Sequence, residues 1–250
     1  MTETIREGTR EAERRMHIQQ RALDDSLRSL GSAALQGLDV RDAIARVVDA
    51  TRTIFEVEGA GLMLVDPEAV LRYVVGTDRA ATALEQAQED TGTGPCVDSL
   101  VLDRVVRTKD VTIDERWPEI HDRLAQSEVR AVLGLPIAVA HTTVGSLNVY
   151  RPEPYEWDDS DEEALQTFAS LIEDVMTAGL LAERTSEVVE QLEGALERRV
   201  TIDRAVGVVM GTEGLGPVEA FARLRRVARD RRIRAAELSQ EVLERGRLEY

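Results

Sequence analysis

Residues 198–245, RRVTIDRAVGVVMGTEGLGPVEAFARLRRVARDRRIRAAELSQEVLER, decide how the chain is read. Three helical patterns follow one another here, separated by two short breaks. The first runs through Ile202, Ala205, Val206, Val209 and Met210 and is punctuated by Gly211, Gly214 and Gly216. Pro217 opens the second at a position where a missing N–H costs nothing, and Glu219 sits in the first turn, where the helix dipole favours an acid. At about 100° per residue, Val218, Phe221, Leu224 and Ala228 share one face, while Arg223, Arg226 and Asp230 point away. The third places Ala235, Leu238 and Val242 on one side. Helices this short do not hide an apolar stripe alone, so the spacing predicts a three-helix bundle over residues 198–250.

Charge separates this segment from the rest. Residues 198–234 hold ten arginines against four acids, and residues 235–250 hold two arginines against four glutamates. The whole chain carries −16, which leaves residues 1–197 with −20. A basic bundle on an acidic chain suits a phosphate backbone, because arginines release condensed counterions from nucleic acid. A solvated arginine face is the plainer alternative.

In its order and spacing, the segment resembles the ANTAR family of RNA-binding antiterminator modules. Arg199, Ile202, Ala205 with Gly207, Met210, Ala220-Phe221, Leu224-Arg225 and Ala228 carry the resemblance, over about the last fifth of the chain. The family often has a lysine between the Ala and the Gly, where this chain has Val206, which leaves RNA contacts to other arginines. The resemblance implies a target of paired stem-loops with displayed loop bases. Loop bases are what proteins read in RNA, since the A-form major groove is closed to side chains. The candidate RNA-binding residues are Arg199, Arg204, Ala205, Gly207, Arg225 and Arg229. Gly207, inside a helix, serves either close helix packing or close approach of RNA to the backbone. Arg225 falls on the apolar face. It must snorkel, pair with a carboxylate such as Asp203, or reach a phosphate.

Upstream, residues 159–200 read as one long helix. Val189, Leu192 and Leu196, ringed by glutamates, predict a coiled-coil seam over a linker at 183–197 and a homodimer. Residues 1–37 are expected to form an N-terminal amphipathic helix with Leu23, Leu27 and Leu30 as its apolar points.

Between these lie the patterns of an α+β domain. An amphipathic helix over 39–56 starts at Asp39 as N-cap. Strands at 61–65 and 71–75 are joined by an Asp66-Pro67 turn. Helices follow at 80–88, 97–102 and 117–124, with brief extended pieces at 105–106 and 111. Two longer apolar strands, 129–140 and 143–150, turn at His141. An antiparallel sheet with flanking helices follows. Gly94-Pro95-Cys96, Asp114 with Trp117-Pro118, Leu135-Pro136, Gly145-x-Leu147-Asn148, and Trp157 with Asp161 and Phe168 look like a GAF domain over residues 38–182. GAF domains are sensory modules that hold small ligands, chromophores or haem, or merely dimerise. The resemblance implies a small-molecule ligand without naming it, and no cofactor is assigned.

Composition excludes several classes. Hydrophobic residues at 43% and charged residues at 31% describe a globular chain. The one cysteine, Cys96, forms no internal disulfide. The charged N-terminus has no secretory pattern, and no apolar run approaches the about 20 residues of a membrane span, so a cytoplasmic protein without a membrane contact is expected. No metal-ligand spacing, P-loop or dinucleotide-binding glycine pattern occurs, and no enzymatic role is expected. Cys96 at the head of a helix is either a low-pKa redox sensor or a small residue filling a tight loop. Trp117 either walls a ligand pocket or packs as a helix start. The expected function is transcription antitermination through RNA stem-loops, under control of a GAF sensor. A DNA-binding regulator and a dimerising protein–protein adaptor are the alternatives.

Overall fold

The structure is a computed structural model that describes residues 39–66, 68–76, 79–182 and 187–250. The predicted N-terminal helix at 1–37 lies outside the described residues.

Helix α1, Val40–Phe55, begins where Asp39 accepts the Arg41 N–H at 2.8 Å, the predicted N-cap. Its buried stripe includes Ile44, Val47, Val48 and Phe55. Strands β1 (Gly59–Val65) and β2 (Leu71–Gly76) form the predicted hairpin. Then come α2 (Arg79–Thr91), α3 (Pro95–Leu102), β3 (Val106–Thr108), a 3-10 turn at Pro118–Ile120, and the short α4 (His121–Leu124). Strands β4 (Ala131–Val139) and β5 (Thr142–Arg151) close the sheet. They meet at a tight turn in which Ala140 and His141 both have positive φ, the backbone twist that two-residue hairpins favour.

The sheet is antiparallel throughout, in the order β2-β1-β5-β4-β3. All seven residues of β1 are buried, so both of its faces are covered. Helix α5 (Asp159–Leu181) packs on α1 and β4, with Phe168 tilted against Phe55 at a ring separation of 6.3 Å. Helix α3 packs on β4, β5 and β3, and α2 packs on β2 and β1. A capping box starts α5: Asp158 accepts the N–H groups of Ser160 and Asp161, and Asp161 accepts that of Asp158.

The continuous helix expected over 159–200 is instead two helices. Helix α5 stops at Leu181, and α6 runs from Glu187 to Glu213. Helix α6 packs against α5 and α1 of its own chain. A Cβ added at Gly179 would lie 2.8 Å from Val40 and 3.3 Å from Val189, so α1, α5 and α6 converge on that glycine. Val188, Val189, Leu192 and Ala195 are buried as α6 crosses α1, α5, β1 and β5. The residues expected to form an intermolecular seam therefore have partners in their own chain.

Helix α6 continues without interruption into the C-terminal bundle and ends at Gly214, whose N–H returns to the Met210 carbonyl at 2.9 Å. Gly214 has φ +71, a left-handed end that favours glycine. Helices α7 (Pro217–Arg231) and α8 (Ala235–Arg245) complete the predicted three. Ile202, Ala205 and Val209 meet Phe221, Leu224 and Ala228 and then Ala235, Leu238 and Val242 in a small apolar core.

Candidate nucleic-acid interface

The six candidate RNA-binding residues divide sharply. Ala205 is wholly buried in the bundle core. It makes no surface available to RNA, and its smallness serves helix packing. Gly207 is exposed, and a Cβ added there would meet nothing within 4 Å. Close helix packing is therefore not what its size serves.

The other four are arginines, and three of them reach the sheet domain. Arg199, on α6, is only 4% exposed. Its Nη2 donates to the Leu100 carbonyl at 3.2 Å and pairs with Asp203, one turn on, at 2.9 Å. Its guanidinium carbon lies 5.7 Å from the Phe221 ring centroid, a cation–π contact. Its Nε and Nη1 have no hydrogen-bond partner. Burial pushes the Arg199 pKa down and that of Asp203 up. Arg225, on α7, is 8% exposed and donates to the Glu89 carbonyl at 3.4 Å. Burial lowers its pKa to about 10, and neighbouring Arg229 acts in the same direction. It does not pair with Asp203, which Arg199 has taken. Arg229 is exposed and donates to the Asp90 carbonyl at 3.4 Å.

Arg204 and Gly207 line a cleft of about 480 Å³ between the bundle and the sheet domain. Asp103, His141 and Thr143 stand across it, with Met210 and Phe221 contributing apolar wall. Three of the six candidates thus contact the sheet domain, and Arg204 and Gly207 line the cleft beside it. Its contribution escaped sequence reasoning: Leu100 and Arg199 are 99 residues apart, and no local pattern links them.

Cys96 and Trp117 belong to the core. Cys96 is fully buried, and burial pushes its thiol up to about 12. Gln88 occupies the start of α3 in its stead, its Oε1 accepting the N–H of Cys96 at 2.9 Å. Gly94, at φ +142, leaves room for Gln88, which any Cβ there would strike. The geometry holds the thiol protonated and away from solvent, which gives the redox reading no support. Trp117 donates to Asp98 at 3.0 Å and is covered by Arg116 at 4.2 Å from its ring centroid. It packs at the entry to the 3-10 turn. Among the described residues no group of three or more His, Cys, Asp and Glu side chains is arranged to hold a metal.

A sensory α+β domain followed by a basic helical bundle is a regulator's architecture. The GAF domain model matches residues 39–175, and the ANTAR domain model matches residues 190–243. The chain belongs to the GAF domain family and carries an ANTAR domain at its C-terminal end. Among solved structures, it is similar to the free methionine-R-sulfoxide reductase of Neisseria meningitidis in complex with its substrate. That match has a TM-score of 0.51 and 17% identity, over 64% of this chain and 91% of the other. It is similar also to the phycocyanobilin-bound GAF domain of a cyanobacterial phytochrome, at a TM-score of 0.51 and 15% identity, over 65% and 98%. At these identities the likeness is one of fold. No curated protein sequence matches the chain. No helix among the described residues is long and apolar enough to cross a membrane.

Proposed function

We propose that the protein is a signal-responsive antitermination regulator whose ANTAR bundle binds stem-loops in nascent transcripts under control of its GAF domain. The observation that carries this reading is the gathering of Arg199, Arg204, Arg225 and Arg229 on one side of a bundle that matches the ANTAR model. Arginine forks suit phosphate and stacked loop bases, and an exposed Gly207 lets a backbone approach closely. The protein acts without catalysis, as a homodimer, with a small molecule as the input to its GAF domain.

The test is fluorescence anisotropy with a transcript carrying two adjacent stem-loops with randomised loop bases, against duplex DNA of equal phosphate number. The expected result is preference for the RNA, with affinity falling steeply as salt rises, by roughly 0.7–0.9 in log–log slope for each phosphate neutralised. Preference for the duplex would transfer the reading to a DNA-binding regulator. Binding to neither, at any salt, would leave the adaptor. Light scattering and native mass spectrometry of the same preparation test the homodimer and a co-purifying ligand.

A further inference from the structure

Three of the four arginines that gather on the bundle, Arg199, Arg225 and Arg229, are already occupied, and by chemically apt partners. The last four carbonyls of a helix have no partner within it, and they form the negative end of the helix dipole. Glu89 and Asp90 lie in the last turns of α2, and their carbonyls accept from Arg225 and Arg229. Leu100 lies in the last turn of α3, and its carbonyl accepts from Arg199. Arg234 approaches Glu68 at 3.9 Å, a further cation of the bundle set against an acid of the GAF domain. Like a phosphate backbone, this surface presents outward oxygens with negative potential. It is not uniformly so, since Arg72 stands nearby, paired with Glu89 and Asp66.

Two features mark the arrangement as one that opens. The contacts are long, at 3.2–3.4 Å, near the limit of useful hydrogen bonds. Arg199 is buried with Nε and Nη1 unpartnered, a charged group left partly unsatisfied in the closed state. A route from the GAF interior is also present. Gln88, buried, fixes the start of α3 through Cys96 and Val97, and the next two residues in sequence are the acceptors Glu89 and Asp90. A shift of Gln88 therefore moves the acceptors.

We propose that the GAF domain masks the RNA face of its own ANTAR bundle: the carbonyl ends of α2 and α3 hold the arginines that RNA phosphates would hold, so that docking and RNA binding exclude each other and the signal acts by undocking. This rests on the RNA-binding reading above.

The experiment locks and unlocks the contact in the full chain. A Cβ added at Gly92 would lie 3.9 Å from that of Ala222, within the range a disulfide needs. Oxidised Gly92→Cys/Ala222→Cys is expected to lose at least tenfold in affinity for the two-stem-loop transcript, and dithiothreitol should restore it. Gly92 has a left-handed backbone, so a second variant carries the test independently. Glu68→Arg/Asp90→Arg repels Arg234 and Arg229 from the GAF side. It should bind RNA at least tenfold more tightly than Glu163→Arg/Asp174→Arg, which makes the same charge change on α5. Equal affinity of the oxidised and reduced forms, or of the two charge variants, would overturn the masking. If no variant binds the transcript, including the undocked one, the RNA-binding reading falls and takes the masking with it.

Discussion

Asp114 shows how one carboxylate orders the approach to Trp117. It accepts from Thr108 at 2.7 Å and from the Arg116 backbone and guanidinium, tying β3 to the turn that follows. The Arg116 guanidinium, above all, holds its pKa down at about 2, against an ordinary 3.8. A depressed acid contributes stability in full above its unfolded pKa, and loses it as pH falls through the folded one. Allowing for solvent screening, the contribution is about 1–2 kcal/mol, complete above about pH 4 and gone near pH 2. Asp114→Asn should therefore be less stable than the parent by that amount at pH 7 in urea melts, and the gap should close on acidification. A gap that is as wide at pH 2.5 would place the cause elsewhere. Phe221 and Arg225 make a contrasting pair on one helix face. Phe221→Ala removes a buried ring and should cost about 3–5 kcal/mol. Arg225→Ala removes one 3.4 Å hydrogen bond and a charge that burial already disfavours, so its thermal melt should stay within about 1 kcal/mol of the parent. In the undocked Glu68→Arg/Asp90→Arg background the same change should weaken RNA binding several-fold.

Element by element, the sequence was most legible where a period and a cap agreed. Helix α1 with Asp39 and α7 with Pro217 in its first turn stand where the pattern placed them, and α5 starts, at its capping box, where the pattern started it. The long helix failed for a physical reason. Helical periodicity reports that Val189 and Leu192 want an apolar neighbour, and says nothing of whether it belongs to another chain or to this one. Gly179, the contact point of three helices, reads in sequence as an ordinary helix glycine. The same limit explains the site. Arg225 was conspicuous on its wheel, yet its acceptor is a backbone carbonyl, which carries no sequence signature. Leu192→Asp tests to which chain that apolar neighbour belongs. Leu192 is fully buried within the chain, so a carboxylate there must be desolvated or the packing of α6 must open. The melting transition should fall by an amount equivalent to at least about 3 kcal/mol, with the mass from light scattering unchanged. A halved mass with an intact melt would restore the seam between chains.

At the scale of the whole molecule, the acidic GAF portion and the basic bundle form a closed pair, and the closing energy sets how much regulation is available. A protein whose competent state is a fraction of the population binds with its intrinsic constant divided by that fraction. The docking rests on three long hydrogen bonds from arginine to carbonyl, one distant ion pair, the packing of α7 on α3, and the packing of α6 on the sheet domain. It is opposed by the burial of Arg199 and Arg225. A closed form favoured by about 1.5–3 kcal/mol imposes roughly a ten- to hundred-fold penalty on RNA binding, the range a reversible signal needs. Because docking and RNA binding exclude each other, RNA at saturation must in turn empty the docked state. The paired measurement is the RNA dissociation constant of the parent against that of Glu68→Arg/Asp90→Arg, beside the rate of disulfide formation in Gly92→Cys/Ala222→Cys with and without saturating RNA. The affinity ratio should fall between about ten and a hundred, and saturating RNA should all but stop the crosslinking. A gain with no matching loss of crosslinking would mean that the arginine substitutions touch RNA directly and that docking does not compete with it.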